Sequence, residues 1–175
     1  MEGFKMKLTL YWTQLVYENW KLYMAATSKG LCYVGSQNKP FEELELWVNK
    51  HYPGSSLVQD DVVMKPYVAE FKEFLLGERT SFTISQELKG TDFQTEVWNA
   101  LCQIPYGETW TYSDIANAIQ RPTAVRAVGT AIGANPVLLT VPCHRVIGKN
   151  GKLTGFRGGL DMKEQLLKIE KENAK

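Results

Sequence analysis

The chain has 175 residues, of which 44% are hydrophobic and 22% are charged, the composition of one folded domain or of two small domains that share a surface. This composition excludes a disordered chain and a collagen-like repeat. The chain contains no run of about eighteen apolar residues, so no transmembrane helix is predicted. The formal net charge of only +1 argues against a strongly basic nucleic-acid-binding protein.

The first ninety or so residues are predicted to form a sheet with one or two helices. Alternation of Leu8, Leu10 and Trp12 with polar residues is typical of a half-buried strand. Further along, the spacing of apolar residues and the turn residues predict strands at 21–26 and 31–34 and a helix at 41–48. A loop at 53–56, a helix through 68–75 and a strand at 81–88 are predicted to follow.

The pattern becomes helical after Lys89 and Gly90. Thr91 and Gln94 have the spacing of a capping box, and apolar residues at three- and four-residue steps predict a helix over 93–104. Thr111 and Asp114 repeat the capping spacing before a short helix that includes Ile115, Ala116 and Ile119. We expect Pro122 to lie in the first turn of the next helix, at 123–134.

The helix at 123–134 has an apolar inward stripe and an outward face formed by Thr123, Arg126 and Thr130. Two short helices joined by a tight turn form the helix-turn-helix pattern, although many helical hairpins bind nothing. Each glycine costs such a helix about 1 kcal/mol relative to alanine. Gly129 and Gly133 therefore indicate either that a partner approaches the backbone closely or that the helix packs tightly against another helix.

A reactive cysteine is the strongest chemical signal. The apolar run 137–141 predicts a buried strand that delivers Cys143 next to His144 and Arg145, groups that favour the nucleophilic thiolate. The alternative is that Cys143 is a small buried hydrophobic residue, as is expected for Cys32 in a strand and for Cys102 in the 93–104 helix.

A third group is needed to orient His144. Glu164 is a candidate, but its spacing from Asp161 is that of a capping box, and the spacing alone favours capping over catalysis.

The scattered cysteines form no CxxC pair, which favours the reducing cytoplasm over a disulfide framework. With only two histidines and no cluster of four Cys/His ligands, the sequence predicts no metal site. The N-terminal residues lack the apolar core and the cleavage site of a secretory signal.

The segment around Cys143 resembles the O6-alkylguanine-DNA alkyltransferases, also called methylated-DNA–protein-cysteine methyltransferases. The motifs that carry the resemblance, in the family's order, are Ile104-Pro105-Tyr106-Gly107-Glu108-Thr109, Tyr112, Arg126-Ala127-Val128-Gly129, Gly133-Ala134-Asn135-Pro136, Pro142-Cys143-His144-Arg145-Val146 and Gly158-Gly159-Leu160. They cover about 93–167. The resemblance implies an α/β (α+β) protein, with a ribonuclease-H-like sheet-and-helix domain at 1–88 and a mainly helical, winged helix-turn-helix-like domain at 89–175.

The resemblance also implies a reaction. Cys143 matches the cysteine that takes the alkyl group from O6 of guanine, and His144 matches a histidine that acts as a base through a water. Glu164 is taken as the family's glutamate that orients the histidine, and Tyr112 matches the tyrosine that donates to guanine N3. The S-alkylcysteine product is a stable thioether, so each molecule should act once and without a cofactor.

The implied partner is double-stranded DNA that contains O6-alkylguanine, bound through the minor groove by a monomer with no membrane association. The base must leave the duplex, and Arg126 matches the arginine that fills the vacated space. The expected DNA-binding residues are Thr123, Arg126, Ala127, Thr130 and Tyr112, and those expected around the flipped base are Asn135, Val146, Phe156 and Arg157. Phe156 stands where many relatives have tyrosine, which leaves open the preference among alkyl groups and the activity on O4-alkylthymine.

Three alternatives stay open at this point: a module that flips damaged bases without repairing them, a cysteine hydrolase that uses Cys143, His144 and Glu164, and a helix-turn-helix regulator. The reactive cysteine argues against the first, and adjacency of Cys and His is unusual for the second. The third leaves the Cys-His-Arg segment unexplained. Charge is also uneven, because 106–157 has six basic and two acidic side chains, so that the rest of the chain is mildly acidic.

Overall fold

The computed structural model describes residues 7–174. Its N-terminal part is a four-stranded sheet in the order β3-β2-β1-β4. The strands are β1 (Thr9–Tyr17), β2 (Trp20–Thr27), β3 (Gly30–Val34) and β4 (Ser56–Gln59). The first three are antiparallel neighbours, whereas β4 runs parallel to β1 and begins opposite Thr9. The predicted strands at 21–26 and 31–34 are confirmed.

Two helices cover the sheet, as the apolar spacing predicted. In α1 (Phe41–His51), Leu44 and Val48 are buried in a cluster with residues of all three antiparallel strands. The second helix, α2 (Asp61–Leu75), buries its aromatic side chains in a different and larger cluster. Both apolar stripes therefore find a core, which is what stabilises an amphipathic helix.

Two N-terminal predictions were incomplete or wrong. β4 was missed, because it is a four-residue strand with no buried residue and so has no apolar alternation to detect. The segment 81–88 is not a strand, and only Gln86 makes an isolated parallel bridge, to Leu31. The apolar side chains of Phe82, Ile84 and Leu88 pack on the core, but the segment forms no continuous set of strand–strand hydrogen bonds. Their alternation therefore reflects burial of side chains and not the pairing of strands.

The C-terminal part is mainly helical. Its elements are α3 (Asp92–Leu101), β5 (Trp110–Thr111), α4 (Tyr112–Ala118), α5 (Val125–Gly133), a 3-10 helix (Cys143–Arg145), β6 (Val146–Ile147) and α6 (Leu160–Asn173). The short strands β5 and β6 pair in parallel and tie the start of α4 to the end of the 3-10 helix. This small pairing sets two functional segments side by side.

Both capping boxes are confirmed. Thr91 and Gln94 exchange side-chain and backbone hydrogen bonds of 3.1 and 3.0 Å at the start of α3, and Thr111 and Asp114 do the same for α4. The expectation for Pro122 was wrong, because a turn closed by the Ala124 N–H and the Arg121 carbonyl (2.9 Å) precedes the helix.

The predicted strand at 137–141 was also wrong. The run is buried, but its backbone folds into turns, with the Val141 N–H bonded to the Val137 carbonyl and Leu139 in the left-handed region (φ 75°). Only Val137 bridges to a strand, at Val34. A continuous apolar run shows burial without fixing the backbone conformation, and here the core accepts a compact turn.

The main apolar core crosses from one half of the chain to the other. It contains Leu15 and Phe74 from the sheet region together with Val97, Val141 and Leu166 from the helical region. The segment that carries Cys143 thus rests on a core built by both halves. Within 7–174, no helix combines the length and the apolarity needed to cross a membrane.

Candidate active site and nucleic-acid interface

The thiol of Cys143 lies at the start of the 3-10 helix and is almost fully buried. Burial raises the pKa of this thiol, and it outweighs the hydrogen bond from the Asn135 amide (3.1 Å to Sγ) and the positive charges of Arg157 and Lys163. The thiol therefore keeps its proton at neutral pH. The positive charges nearby do not offset burial, so a base is required to form the thiolate.

The base is available in a buried cluster around Glu170. One carboxylate oxygen of Glu170 is hydrogen-bonded to His144 Nε2, and the other accepts from Arg145 Nε (2.8 Å) and from the Gly107 N–H (3.0 Å). Arg145 also donates to the Ile104 carbonyl at 2.7 Å. Arg145 thus fixes the carboxylate instead of facing the thiol.

Protonation in this cluster favours a neutral histidine beside an ionised glutamate. Burial lowers the pKa of His144 and outweighs the opposing effect of Glu170. For Glu170, burial alone would raise the pKa, but the hydrogen bonds and charges of His144 and Arg145 bring it below its ordinary value. Because the carboxylate accepts, His144 Nε2 carries the proton and the buried Nδ1, which bonds to no described residue, is the basic atom.

Glu164 does not take part, which corrects its predicted role. It is exposed on α6, whose buried residues are Met162, Lys163, Leu166 and Glu170. The Asp161–Glu164 capping box is absent too, since the helix is capped by Gly159 (φ 95°) without a side-chain bond. The sequence does contain a pattern that points to Glu170. Lys163, Leu166 and Glu170 have the spacing of one helix face, which places the Glu170 carboxylate on the inward face of α6.

Lys163 is a second buried group that the sequence interpretation missed. Its ammonium donates to the carbonyls of Val146 (2.5 Å) and Thr154 (3.3 Å), and its pKa is lowered by burial, against the opposing effect of Cys143. The side-chain hydroxyl of Thr154 is in turn 2.7 Å from the Tyr112 hydroxyl. These bonds connect the predicted substrate residues Val146 and Tyr112 through one loop.

Asn135 and Arg157 hold the chain around the cysteine. Asn135 Nδ2 also donates to the Val141 carbonyl (3.0 Å), and Oδ1 accepts from the Val137 N–H (2.9 Å). The Arg157 guanidinium donates to carbonyls of β3 and of the segment after α5, including Val34 at 2.6 Å. Its side chain thereby joins the two halves of the chain. The nearby ring of Phe156 packs, half-buried, on the core.

The outward face of α5 is exposed to solvent, as the spacing of its apolar residues predicted. Arg126, Ala127 and Thr130 on α5, and Thr123 in the turn before it, are exposed and line a groove of about 670 Å³ together with residues at the start of α3. The two glycines differ. A Cβ at Gly129 would lie 3.7 Å from the Tyr112 ring, whereas one at Gly133 would meet nothing within 4 Å.

The other two cysteines, Cys32 and Cys102, lie in different environments. Cys32 is buried in the sheet, as expected, and burial raises the pKa of its thiol to about 12. The expectation for Cys102 was wrong, since it follows the last residue of α3 and is exposed. Among the described residues, no group of three or more His, Cys, Asp or Glu side chains could hold a metal ion.

Comparison with known proteins gives consistent matches. A family model for the DNA-binding domain of 6-O-methylguanine DNA methyltransferase matches residues 92–172. The inducible methylated-DNA–protein-cysteine methyltransferase of Bacillus subtilis (strain 168) is 62% identical over 165 residues, which cover 94% of this chain and 92% of that protein. The corresponding protein of Methanosarcina acetivorans is 43% identical over 151 residues, 85% of this chain and 90% of the relative.

Solved structures agree with the sequence matches. The crystal structure of Mycobacterium tuberculosis O6-methylguanine methyltransferase superposes with a TM-score of 0.82, at 37% identity and 95% coverage of both chains. A crystal structure of the M. tuberculosis protein in complex with DNA matches with a TM-score of 0.80 at 36% identity, and covers 95% of this chain and 94% of that one. The mixed α/β architecture, with a small sheet and surrounding helices, is therefore shared with these proteins.

Proposed function

Because this chain belongs to the methylated-DNA–protein-cysteine methyltransferase family, we propose that Cys143 is the residue that accepts the alkyl group from O6-alkylguanine in DNA. The activity itself is DNA repair by transfer of an alkyl group to a cysteine of the protein. The observation that carries the assignment is the position of Cys143, whose sulfur contacts Asn135 and whose sequence neighbour His144 is paired with Glu170.

The proposed reaction begins with the thiol. His144 Nδ1 accepts the proton of Cys143 through a water, and the ionised Glu170 stabilises the resulting imidazolium through Nε2. The thiolate attacks the sp³ carbon of the alkyl group in line, so that a carbon–sulfur bond forms as the carbon–oxygen bond breaks. Glu170 thus takes the role first given to Glu164.

The leaving guanine must gain a proton as the bond to O6 breaks. We assign that donation, at N3, to the Tyr112 hydroxyl, which the hydroxyl of Thr154 holds at 2.7 Å. The product on the protein is a thioether, which has no easy leaving group. Each molecule therefore repairs one base, and the reaction needs no cofactor.

DNA contact is assigned to the open face of α5. Arg126 would fill the space left by the flipped base, with Thr123, Ala127 and Thr130 along the minor groove. Exposure of all four residues on one groove supports this placement. Asn135, Val146, Phe156 and Arg157 would surround the flipped base, with the Arg157 contact made by its backbone, since its side chain binds carbonyls.

Finer aspects of organisation belong to the same proposal. The sheet order β3-β2-β1-β4 supports a ribonuclease-H-like N-terminal domain at 1–88, and the α4–α5 pair with the β5–β6 ribbon supports a winged helix-turn-helix-like domain at 89–175. Three free cysteines suit the cytoplasm, where thiols stay reduced. We also propose a monomer, which sedimentation with and without DNA would test.

Intact-mass spectrometry after mixing with a duplex that contains one O6-methylguanine tests the central assignment. The expected result is a gain of one methyl group on Cys143 that saturates at one equivalent, with no gain in Cys143→Ser. Binding without transfer would support a base-flipping module, and continued turnover of an ester would support a hydrolase. Methylation of Cys32 or Cys102 instead of Cys143 would overturn the assignment.

A further inference from the structure

A basic cavity lies where the N-terminal and C-terminal halves meet, and it borders the site described above at Asn135 and Arg157. It has a volume of about 260 Å³ and is formed mainly by the end of α1, the start of α3 and the segment after α5. Its lining includes Lys50, His51, Lys89 and Arg157, and no acidic residue. Arg157 is paired with Glu43 (3.8 Å), so the ammonium groups of Lys50 and Lys89 are the charges of this concave surface that suit an anion.

The end of α1 that carries Lys50 is held rigidly. Trp47 stacks between Tyr33 of the sheet and His51, with ring centroids 4.8 and 4.6 Å apart. His51 Nδ1 is also 3.0 Å from the Trp47 carbonyl. This stack fixes the last turn of α1 on the sheet, so that Lys50 projects from a defined position.

Lys89, which also lines the cavity, is likewise held by an aromatic ring. Its ammonium lies 4.1 Å from the centroid of the Tyr52 ring, a cation–π contact that leaves the ammonium exposed to other partners. Within the described residues, neither Lys50 nor Lys89 forms an ion pair. Both charges are therefore available to an external anion.

The acidic residues of this region already have internal partners. Glu43 accepts hydrogen bonds from the Tyr33 hydroxyl and the Ser36 N–H, at 2.9 and 2.8 Å. Glu87 accepts from the hydroxyls of Tyr52 (2.8 Å) and Thr27. Neither carboxylate lines the cavity, so the lysines are not neutralised by the protein itself.

The cavity adjoins the groove along α5. Gln94 lines both, and Lys89 precedes the α3 cap Thr91, which also lines the groove, by only two residues. A duplex seated on α5 is longer than the groove and carries a phosphate at regular intervals along each strand. On the proposed DNA-binding role of α5, we propose that Lys50 and Lys89 bind backbone phosphates of the duplex that flanks the alkylated base.

The double variant Lys50→Gln/Lys89→Gln tests this contact against a matched control, Lys65→Gln/Lys72→Gln, which removes two exposed lysines from α2. Duplex affinity is measured by fluorescence anisotropy over a range of salt concentrations. Each lost phosphate contact lowers the slope of log K against log salt by about 0.9, so the first variant should be shallower by about 2 and the control unchanged.

A shortened duplex locates the contact. Trimming the DNA on the side that reaches the cavity should remove the affinity difference between wild type and Lys50→Gln/Lys89→Gln, and trimming the other side should leave it. Equal salt slopes for the two double variants, or a difference that survives trimming on either side, would overturn the proposal. The latter result would indicate a general charge effect or another partner.

Failure of this proposal is distinguishable from failure of the proposed function. Benzyl transfer from the free base O6-benzylguanine to Cys143, with guanine as the leaving group, should be as fast in both double variants as in wild type because no duplex takes part. If Arg126→Ala weakens duplex binding while Lys50→Gln/Lys89→Gln does not, only the flanking contact is wrong. If neither variant weakens binding, the cavity proposal is overturned and so is the assignment of the α5 face.

Discussion

The exposed face of α5 and the buried cluster of His144 and Glu170 differ in their exposure to solvent, and we propose that the first binds DNA and the second supports the chemistry. Thr123, Arg126 and Thr130 lie in the open and are free to meet a large partner. His144 and Glu170 are almost wholly buried, where hydrogen bonds set their protonation. Binding and chemistry should therefore respond to different substitutions. Changes on the face of α5 should weaken duplex recognition alone, whereas changes in the cluster should affect both the reaction and folding.

The largest expected effect comes from Glu170→Gln. The substitution leaves His144 without its anionic partner and leaves Arg145 as a buried charge without a carboxylate. Removing one partner of a buried pair costs about 3–5 kcal/mol, and positioned general bases contribute about 10²–10⁴-fold to rates. We expect the single-turnover transfer rate to fall at least about 100-fold and the unfolding free energy in urea to fall by several kcal/mol.

Glu164→Gln is the matched control, because it changes an exposed carboxylate on the same helix. Its transfer rate and its stability should stay close to those of wild type. A Glu164→Gln variant as damaged as Glu170→Gln would break the division between cluster and surface.

Arg126→Ala should affect the other side of the comparison. In the proposed role, the Arg126 side chain fills the position vacated by the flipped base, and its loss removes part of what offsets the cost of unstacking, which is a few kcal/mol. We expect repair of a methylated duplex to slow by about 10–100-fold, with no change in urea stability or in the reaction with a free base. Equal slowing on duplex and free base would place Arg126 in the chemistry instead of in DNA recognition.

The same comparison explains which parts of the site the sequence predicted. The outward face of α5 could be predicted because it depends only on the spacing of residues within the helix. The capping boxes at Thr91 and Thr111 could be predicted for the same reason, since each involves residues three positions apart. The assignment to Glu164 failed because which glutamate of α6 meets His144 depends on how α6 is rotated against the 3-10 helix. That rotation is set by burial of Met162, Lys163 and Leu166, a property of tertiary packing.

The buried segment before Cys143 failed for a related reason. A sequence of apolar residues at 137–141 shows that the chain enters the core, but it does not distinguish a strand from the turn that the structure contains. Lys163 was missed because lysine is expected at the surface, and here two backbone carbonyls bind its ammonium. Sequence therefore singled out Cys143 and its immediate neighbours, the proposed reactive segment, whereas long-range packing selects their partners.

Acidification should reveal the buried cluster through stability. Burial lowers the pKa of His144 in the folded state below its ordinary value of 6.5, so protons bind the unfolded state more tightly. This contribution to stability is complete above pH 6.5 and is lost as pH falls, by up to about 2 kcal/mol between pH 7 and pH 5. Urea unfolding at both pH values measures it. His144→Gln should show a smaller loss over the same interval, and an equal loss would contradict the role of His144.

The smallest expected effect concerns Gly133, at the end of the open face. A Cβ there meets no atom within 4 Å, so Gly133→Ala should raise the unfolding free energy by about 0.5–1 kcal/mol through helix propensity. If glycine is kept there because DNA approaches the backbone, the added methyl should also weaken duplex binding several-fold while benzyl transfer from the free base stays unchanged. Gly129→Ala is the comparison, because its Cβ would face Tyr112 and not the groove. Higher stability with unchanged duplex affinity in Gly133→Ala would show that the DNA does not reach this end of α5, and would confine the contact to the part of the face around Arg126.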